Sequence, residues 1–358
     1  MPGDWWLRAN EILAECRQRD AGGKSASYRC RFAKGELSLD CDDQALSRRF
    51  NEIYPEGTDT DPEAADVYVK CVVRGHGDLP VAAVTFEDPE PLDAFAFCKA
   101  LFPDRGYVDG PPAAPGWRTI AARESPDRPV VALSGNFALA DRRQVWQPFI
   151  ANYAVNRVLR LQRDILFFHA ASIGIAGRGA LIVGPKASGK TTTSLTLASR
   201  GCDFLGDEMA AVHKSSKMIF PFRRAVSIRS GRRARLVDQK LAEGHFSVER
   251  FPDGGARVLA NVSELFPQAG VAQSELSCAF FLRHFAERPH AEPFLFGSGN
   301  IGMLSPLACS MWGVPAGARI LDLSRLMRGV RCYYLHPGPP EDTAELVEQV
   351  VRGRAFRD

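Results

Sequence analysis

The stretch Gly184-Pro-Lys-Ala-Ser-Gly-Lys-Thr191 matches Gly-x-x-x-x-Gly-Lys-Ser/Thr, the pattern of a phosphate-binding loop. The short apolar run Ala180-Leu-Ile-Val183 precedes it and is typical of a buried strand. Residues 192–200 follow it and contain good helix formers up to a stop at Gly201. The loop therefore lies between a predicted strand and a predicted helix, which is the context that this motif requires.

The residue types of this loop suit phosphate. A helix start offers unpaired N–H groups and the positive end of the helix dipole, and glycines let the backbone approach phosphate oxygens. Lys190 can neutralise the β- and γ-phosphates, and the Thr191 hydroxyl can bind Mg²⁺. A glycine-rich turn that only caps a helix is the alternative, but a buried lysine there would be costly without an anion. The predicted ATP-binding residues are Gly184, Pro185, Lys186, Ala187, Ser188, Gly189, Lys190, Thr191 and Thr192.

Composition limits the class of protein. The 358 residues are 45% hydrophobic and 24% charged, which is enough for two domains or for one large domain with an appendage. A formal net charge of +3 is too small to indicate nucleic acid, and no apolar run approaches membrane-spanning length. The first twenty residues show no signal peptide, and nine scattered cysteines without a Cys-x-x-Cys pair fit reduced thiols. We therefore expect a cytoplasmic protein with no nucleic acid or membrane partner, and leave a homo-oligomer open.

The pattern of apolar residues predicts two domains. Residues 1–140 are predicted to form a smaller N-terminal α+β domain that recognises the acceptor or a partner, and residues 141–358 an ATP-binding catalytic domain. In the first part we expect a strand pair over 28–39, a helix over 43–54, strands over 65–73, 81–86 and 129–137, and a joining helix over 146–163.

The second part is predicted to be an α/β fold that carries the loop on a mixed sheet. Residues 165–175 and the strand before the loop favour an antiparallel hairpin around a turn at 176–179. A basic stretch, residues 230–255, is expected to be poorly ordered and to fold over the site, or else to be a plain surface insertion. Further strands are expected over 203–212, 217–228, 275–282 and 330–335, and helices over 300–312, 322–327 and 341–351.

An acidic pair follows the loop. A helix and a strand after Lys190 return the chain to the phosphate site with Asp207 and Glu208. A carboxylate there can hold Mg²⁺ or accept a proton from an attacking hydroxyl, although a surface pair at a strand end is the alternative. We predict Asp207 as general base or metal-linked carboxylate and Glu208 as metal-linked or structural. The predicted metal ligands are thus Thr191, Asp207 and Glu208.

Several basic side chains are weaker candidates. His169 lies in the first strand of the predicted hairpin, where it is either a core residue or a contact to phosphate or acceptor. Arginines after the acidic pair suit the charge of a transferred phosphoryl group, or form a solvated basic face. These arginines are Arg223, Arg224 and Arg229. The predicted catalytic residues are Asp207, His169 and Lys190.

The order of these motifs resembles that of the HPr kinase/phosphorylase family and, more closely, of the broader HPr-kinase-like serine kinases. The resemblance covers about residues 165–350 and is sharpest over 169–208, from His169-Ala-Ala-Ser172 through the loop to the acidic pair. It implies a fold like that of phosphoenolpyruvate carboxykinase, with Mg²⁺ and ATP as donor and a hydroxyl, often seryl, as acceptor. It also implies that Lys190 and Thr191 hold phosphate and Mg²⁺, that Asp207 is the base, and that His169 lies near the transferred group.

The sequence also departs from that family. Phe222-Arg-Arg-Ala-Val-Ser-Ile-Arg229 stands where HPr kinases carry an Arg-Gly-x-Gly signature, so HPr itself is not implied as the substrate. We predict an ATP-dependent kinase that phosphorylates a hydroxyl on a peptide, a protein or a small molecule. The alternatives are a non-catalytic ATP-binding sensor and, less favoured, a carboxykinase-like decarboxylating enzyme, for which we find no metal-binding Lys/His/Asp set.

Overall fold

A computed structural model describes most of the chain as two compact units, Met1–Leu161 and Gln162–Asp358. This division falls after Leu161, whereas the sequence analysis places the boundary at 140, because the helix Val155–Leu161 packs on a strand of the first unit. The residues described are 11, 14, 26–54, 65–76, 79–87, 107–110, 118–122, 125–133, 136–139, 154–222, 224–229, 231, 233–250, 255–304 and 316–354.

The first unit contains an eight-stranded sheet in the order β1-β2-β3-β4-β8-β7-β6-β5, in which only the β2–β3 pair is parallel among the described strands. Its strands are β1 (Ala26–Phe32), β2 (Gly35–Cys41), β3 (Val67–His76), β4 (Leu79–Glu87), β5 (Tyr107–Gly110), β6 (Arg118–Ala122), β7 (Ser125–Leu133) and β8 (Asn136–Leu139). Its helices are α1 (Gln44–Ile53) and α2 (Val155–Leu161).

Helix α1 shows why the sequence folds locally as predicted. Its N-cap is Asp43, whose carboxylate accepts hydrogen bonds of 2.9 Å from the N–H groups of Ala45 and Leu46. Leu46, Phe50 and Ile53 recur at helical spacing and are buried. The helix predicted over 43–54 is therefore confirmed. The strand pair predicted over 28–39 is also confirmed, because β1 and β2 pair antiparallel.

The second unit is a mixed α/β fold. Its strands are β9 (Ile165–Phe168), β10 (Ala170–Ile175), β11 (Arg178–Val183), β12 (Asp203–Gly206), β13 (Ala210–His213), β14 (Met218–Phe220), β15 (Val226–Arg229), β16 (Ser247–Arg250), β17 (Ala256–Ala260), β18 (Ser274–Leu282), β19 (His290–Phe294) and β20 (Arg331–His336). Its helices are α3 (Lys190–Ser199), α4 (Arg235–Glu243), α5 (Val262–Leu265), α6 (Ile301–Leu304), α7 (Ala316–Met327) and α8 (Pro340–Arg352), with a 3₁₀ turn at Ser298–Asn300.

The nine-stranded sheet of this unit holds the loop strand β11 in its interior, between β10 and β18. Strand β11 is antiparallel to β10 and parallel to β18, which in turn is parallel to β20. The predicted hairpin before the loop is therefore confirmed. Alternate residues of β11 enter two cores: Ala180 and Ile182 pack with α3 and α8, whereas Leu181 and Val183 pack with α7. Strands β15, β17 and β16 form a separate three-stranded sheet.

Two predicted strands are interrupted in the structure. Residues 165–175 divide at His169, because β9 pairs with β13 whereas β10 pairs with β11 and β12. Residues 203–212 divide in the same way, and Asp207 and Glu208 lie in the bend between β12 and β13 rather than within a strand. Gly206 permits this bend, since a Cβ there would lie 2.4 Å from the carbonyl oxygen of Met209.

The basic stretch 230–255 also differs from expectation. Half of it forms α4 and β16, and Ala234 and Val237 are buried in a core with Leu195 and Ala198 of α3. Residues 230, 232 and 251–254 lie outside the described residues. The helices predicted over 146–163 and 300–312 extend in part beyond the described residues. None of the helices in the described part of the chain has the length and apolar composition needed to cross a membrane.

Candidate functional site

The segment between β11 and α3 is a tight loop held by its own backbone. Gly189 has φ of 104° and Ala187 has φ of 65°, so the chain passes through left-handed conformations just before α3. The Ser188 hydroxyl donates to the Pro185 carbonyl oxygen at 2.8 Å. At Gly184 a Cβ would lie 2.5 Å from Ser188 Oγ, so a larger residue there would force Ser188 to shift.

The first turn of α3 is open to a ligand. Within the described loop and helix, no side chain caps the N–H groups of α3, and its first turn holds no acidic residue. Residues 189–193 line a cavity, so the positive end of the helix dipole meets that space. This arrangement is suited to an anion.

Lys190 places a cation against the inner side of the loop. Its side chain is buried, with 8% exposed, and Nζ donates to the carbonyl oxygens of Gly184 at 2.7 Å and Pro185 at 3.0 Å. Burial lowers the pKa of Lys190, and the nearby carboxylates of Asp207 and Glu208 oppose that shift. The loop thus holds its own positive charge close to the start of α3.

Asp207 connects the acidic pair to the loop. Its side chain is 4% exposed, and its carboxylate accepts hydrogen bonds from Thr191 Oγ1 at 2.7 Å and Ser194 Oγ at 3.1 Å. Burial raises the pKa of Asp207 to about 6, with the negative charge of Glu208 adding to the shift and the two hydroxyl donors opposing it. The structure therefore brings together the two residue types, hydroxyl and carboxylate, that the sequence analysis assigns to a metal ion.

Glu208 has different neighbours. Its carboxylate pairs with Arg224 at 3.3 Å, and its carbonyl oxygen lies 3.1 Å from Nδ1 of His169. Because a carbonyl can only accept, Nδ1 is the donor in this contact. Arg224 Nε is buried and has no hydrogen-bond partner among the described residues. Asp207 and Glu208 thus differ in their contacts, because among the described contacts only Asp207 bonds to the loop.

A cavity of about 740 Å³ joins these groups. One wall is the loop with the start of α3, and the others include His169, the acidic pair and the segment from β15 to α4. Phe285 closes one side with a ring that is 66% exposed. The remaining lining residues are Lys186, Ala187, Leu195, Ser227, Ile228, Arg229, Gly231, Arg233, Ala234, Val237, Ala286, Pro337, Gly338, Pro340 and Thr343.

Most predicted site residues meet around this cavity. The loop residues from Gly184 to Thr192, with Asp207, Glu208 and His169, form one cluster, and Arg229 lies in the wall. Arg223 lies outside the described residues. Their catalytic and binding roles stay predictions.

The sequence analysis missed Ser194 and Phe285. Ser194 could have been found, because it lies three residues after Thr191 on one face of a predicted helix. Phe285 follows β18 and carries no local pattern that distinguishes it from a core aromatic.

No family model matches the sequence, and a search of curated proteins also returns no match. Among solved structures, one described as the Hpr(Ser) kinase/phosphatase from Coxiella burnetii matches 53% of this chain and 97% of its own, with 15% identity and a TM-score of 0.26. The likeness is distant at this identity and TM-score, and what the site can do follows from its own residues.

Proposed function

We propose that the second unit binds ATP at the loop 184–192 and transfers its γ-phosphoryl group to a hydroxyl acceptor, with Asp207 as the base. The observation that carries this proposal is the buried Asp207 carboxylate bonded at 2.7 Å to Thr191 of the loop. A phosphate-binding loop alone fits any nucleotide-binding protein. A kinase also needs a group that accepts the proton of the acceptor hydroxyl, and a carboxylate held beside the loop can do so.

The residues present fit a nucleotide with Mg²⁺. The open N-terminus of α3 and Lys190 offer N–H groups and a positive charge to the β- and γ-phosphates. Thr191 and Asp207 offer the hard oxygen donors that Mg²⁺ prefers. The ion, when bound, supplies neutralisation of charge on the phosphates. The cavity volume of about 740 Å³ is within the usual range of small-molecule sites.

Asp207 is suited to take the acceptor proton. Its pKa of about 6 makes it a stronger base than an exposed aspartate, and it is still mostly ionised at neutral pH. Thr191 and Ser194 fix the orientation of its carboxylate. As the acceptor oxygen bonds to the γ-phosphorus, Asp207 receives its proton and the bond from phosphorus to the leaving diphosphate breaks.

His169 and Lys190 are proposed to stabilise the charge of the transferred group. His169 lines the same cavity, and its contact to the Glu208 carbonyl fixes the ring. Arg224 pairs with the carboxylate of Glu208, which leaves the carboxylate of Asp207 to accept the proton. We propose cytoplasmic peptides, proteins or small molecules with a hydroxyl group, often a seryl one, as the acceptor class.

The decisive experiment separates binding from transfer. We expect the protein to bind ATP in the presence of Mg²⁺ by calorimetry, and to add about 80 daltons to an acceptor in mass spectrometry, the mass of one phosphoryl group. Lys190→Ala should lose both activities. Asp207→Asn should largely keep ATP binding, because the amide still offers an oxygen donor, and should lose transfer by about 10²–10⁴-fold, the usual contribution of a general base.

Asp322→Asn is the matched control, because Asp322 pairs with Lys214 and does not line the cavity. This variant should keep both activities. Full transfer by Asp207→Asn would refute the assignment of the base. ATP binding without turnover on any acceptor would instead favour the non-catalytic sensor, and absence of ATP binding would refute both proposals.

A further inference from the structure

A cluster of metal-ligating side chains lies on β19 and β20, outside the lining of the cavity. His290, Glu292 and His336 each present a ligand atom, and these three atoms lie within 4.8 Å of one another. In the part of the chain that the structure describes, no other His, Cys, Asp or Glu side chains form such a group of three. None of the three side chains lines the cavity described above.

The sheet sets the spacing of this cluster. Strands β19 and β20 are antiparallel, with His290 directly opposite His336, and Glu292 lies two residues along β19 on the same face as His290. Strand β20 is also paired with β18, so hydrogen bonds hold it on both sides. Sites built on strands are positioned more accurately than sites on loops. The backbone therefore places two imidazoles and one carboxylate together.

The contacts of His290 place its ring beside the other members of the cluster. Its Nδ1 lies 3.4 Å from the Arg288 carbonyl oxygen. Its Nε2 lies 3.7 Å from the Glu292 carboxylate. A metal-binding histidine commonly has its second ring nitrogen beside a backbone carbonyl, as Nδ1 is here.

We propose that His290, Glu292 and His336 bind a divalent transition-metal ion, with Zn²⁺ as the representative case. Two imidazoles and a carboxylate suit Zn²⁺, Co²⁺ or Ni²⁺ better than Mg²⁺ or Ca²⁺, which prefer oxygen donors alone. The side chains of His290 and Glu292 are 52% and 60% exposed, so water completes the coordination. No cysteine takes part in this cluster.

Binding requires a small rotation. The rings of His290 and His336 are parallel, with centroids 4.4 Å apart and an interplanar angle of 5°. A shared ion must lie near the plane of each ring, so one imidazole has to turn about its Cβ–Cγ bond. The exposure of His290 leaves room for that turn.

A bound ion would stabilise one wall of the cavity. Pro337 and Gly338 line the cavity and directly follow His336. Ala286 also lines the cavity and lies four residues before His290. The Ala286 N–H donates to the Pro337 carbonyl oxygen at 2.8 Å. An ion between β19 and β20 would add a second link between the same two segments.

The test is a Co²⁺ titration of the full chain, followed by the visible absorption of the bound ion, with Zn²⁺ as competitor. Any affinity tag is removed and the protein is treated with EDTA beforehand. We expect one ion per chain at this cluster, measured as the difference between the unaltered protein and the cluster variants, displaced by Zn²⁺, and a Zn²⁺-dependent rise in melting temperature. His290→Gln, Glu292→Gln and His336→Gln should each weaken binding by at least about tenfold, since even the outer partners of metal ligands contribute that much.

His284→Gln is the matched control, because His284 is an exposed histidine of the same segment and not a member of the cluster. It should bind Co²⁺ like the unaltered protein. Ions bound at Asp207 or at cysteines would persist in every variant and cancel in the comparison. If His336→Gln fails to fold, His290→Gln and Glu292→Gln decide, because their side chains are more than half exposed. Equal binding by these variants and the unaltered protein would overturn the proposal.

Discussion

Asp207 is almost completely buried, and its hydrogen-bond partners are two hydroxyl groups. Burial raises the pKa of this carboxyl from 3.8 to about 6. Between these two pH values the folded protein holds a proton that the unfolded chain has released, so stability falls as pH rises through that window. The shift corresponds to about 3 kcal/mol, at about 1.4 kcal/mol for each pKa unit.

We therefore compare the unfolding free energy of the nucleotide-free Asp207→Asn variant with that of the unaltered chain. The difference should shift in favour of the variant as pH rises from 4 through about 6, because only the unaltered chain loses stability in this range. Urea unfolding of both proteins across this range measures the difference. The amide keeps the shape of the side chain but cannot ionise, so the difference should level off above the folded pKa. A difference that is independent of pH would show that Asp207 ionises as an ordinary exposed aspartate does.

The two hydroxyl donors to Asp207 allow a second prediction. Thr191→Val removes the 2.7 Å bond and Ser194→Ala removes the 3.1 Å bond, and each should destabilise the protein by about 1.5–3 kcal/mol because the acceptor is charged at neutral pH. Only Thr191 belongs to the loop. Calorimetry should therefore show that Thr191→Val loses the Mg²⁺-dependent part of ATP binding and that Ser194→Ala keeps it. An equal loss in both variants would mean that Thr191 acts only by orienting Asp207.

At the scale of elements, the sequence correctly predicts those helices and strands whose apolar residues follow a regular spacing. The loop strand, α1, β18 and α8 follow runs and periodicities that are local in the chain. The breaks at His169 and at Asp207 could not be predicted, because both arise where a strand changes its neighbour in the sheet. Such pairings depend on residues far apart in sequence. Motif order along the chain nevertheless selected His169 and Asp207 as candidates, because motif order does not depend on the exact strand boundaries.

The backbone conformation of the loop gives a prediction at this scale. Gly189 has φ of 104°, so Gly189→Ala should destabilise the protein by about 1–2 kcal/mol through left-handed strain. Gly177→Ala is the matched control: its φ is 74°, a Cβ there meets nothing within 4 Å, and it lies in the turn between β10 and β11. Thermal unfolding should show similar losses for both variants. ATP binding should fall only in Gly189→Ala, and normal binding by that variant would exclude a role of the loop backbone in holding phosphate.

At the scale of the whole molecule, composition and charge indicated two domains and little about their roles. The first unit is a sheet of eight strands with no motif that names a ligand, so its proposed part in recognising the acceptor or a partner stays a prediction. The second unit contains all the described residues that line the cavity. The proposed nucleotide site therefore belongs to one unit, whereas the sequence offers no residue that identifies the acceptor.

This division predicts that residues 162–358, produced alone, bind ATP and Mg²⁺ with the affinity of the full chain, because the loop, Asp207 and the cavity walls lie within them. Calorimetry on the fragment, with circular dichroism to establish that it is folded, measures this. Phosphorylation of a peptide or protein acceptor should fall in the fragment if the first unit recognises that acceptor, while ATP binding stays constant. A folded fragment without ATP binding would show that the nucleotide site needs residues of the first unit.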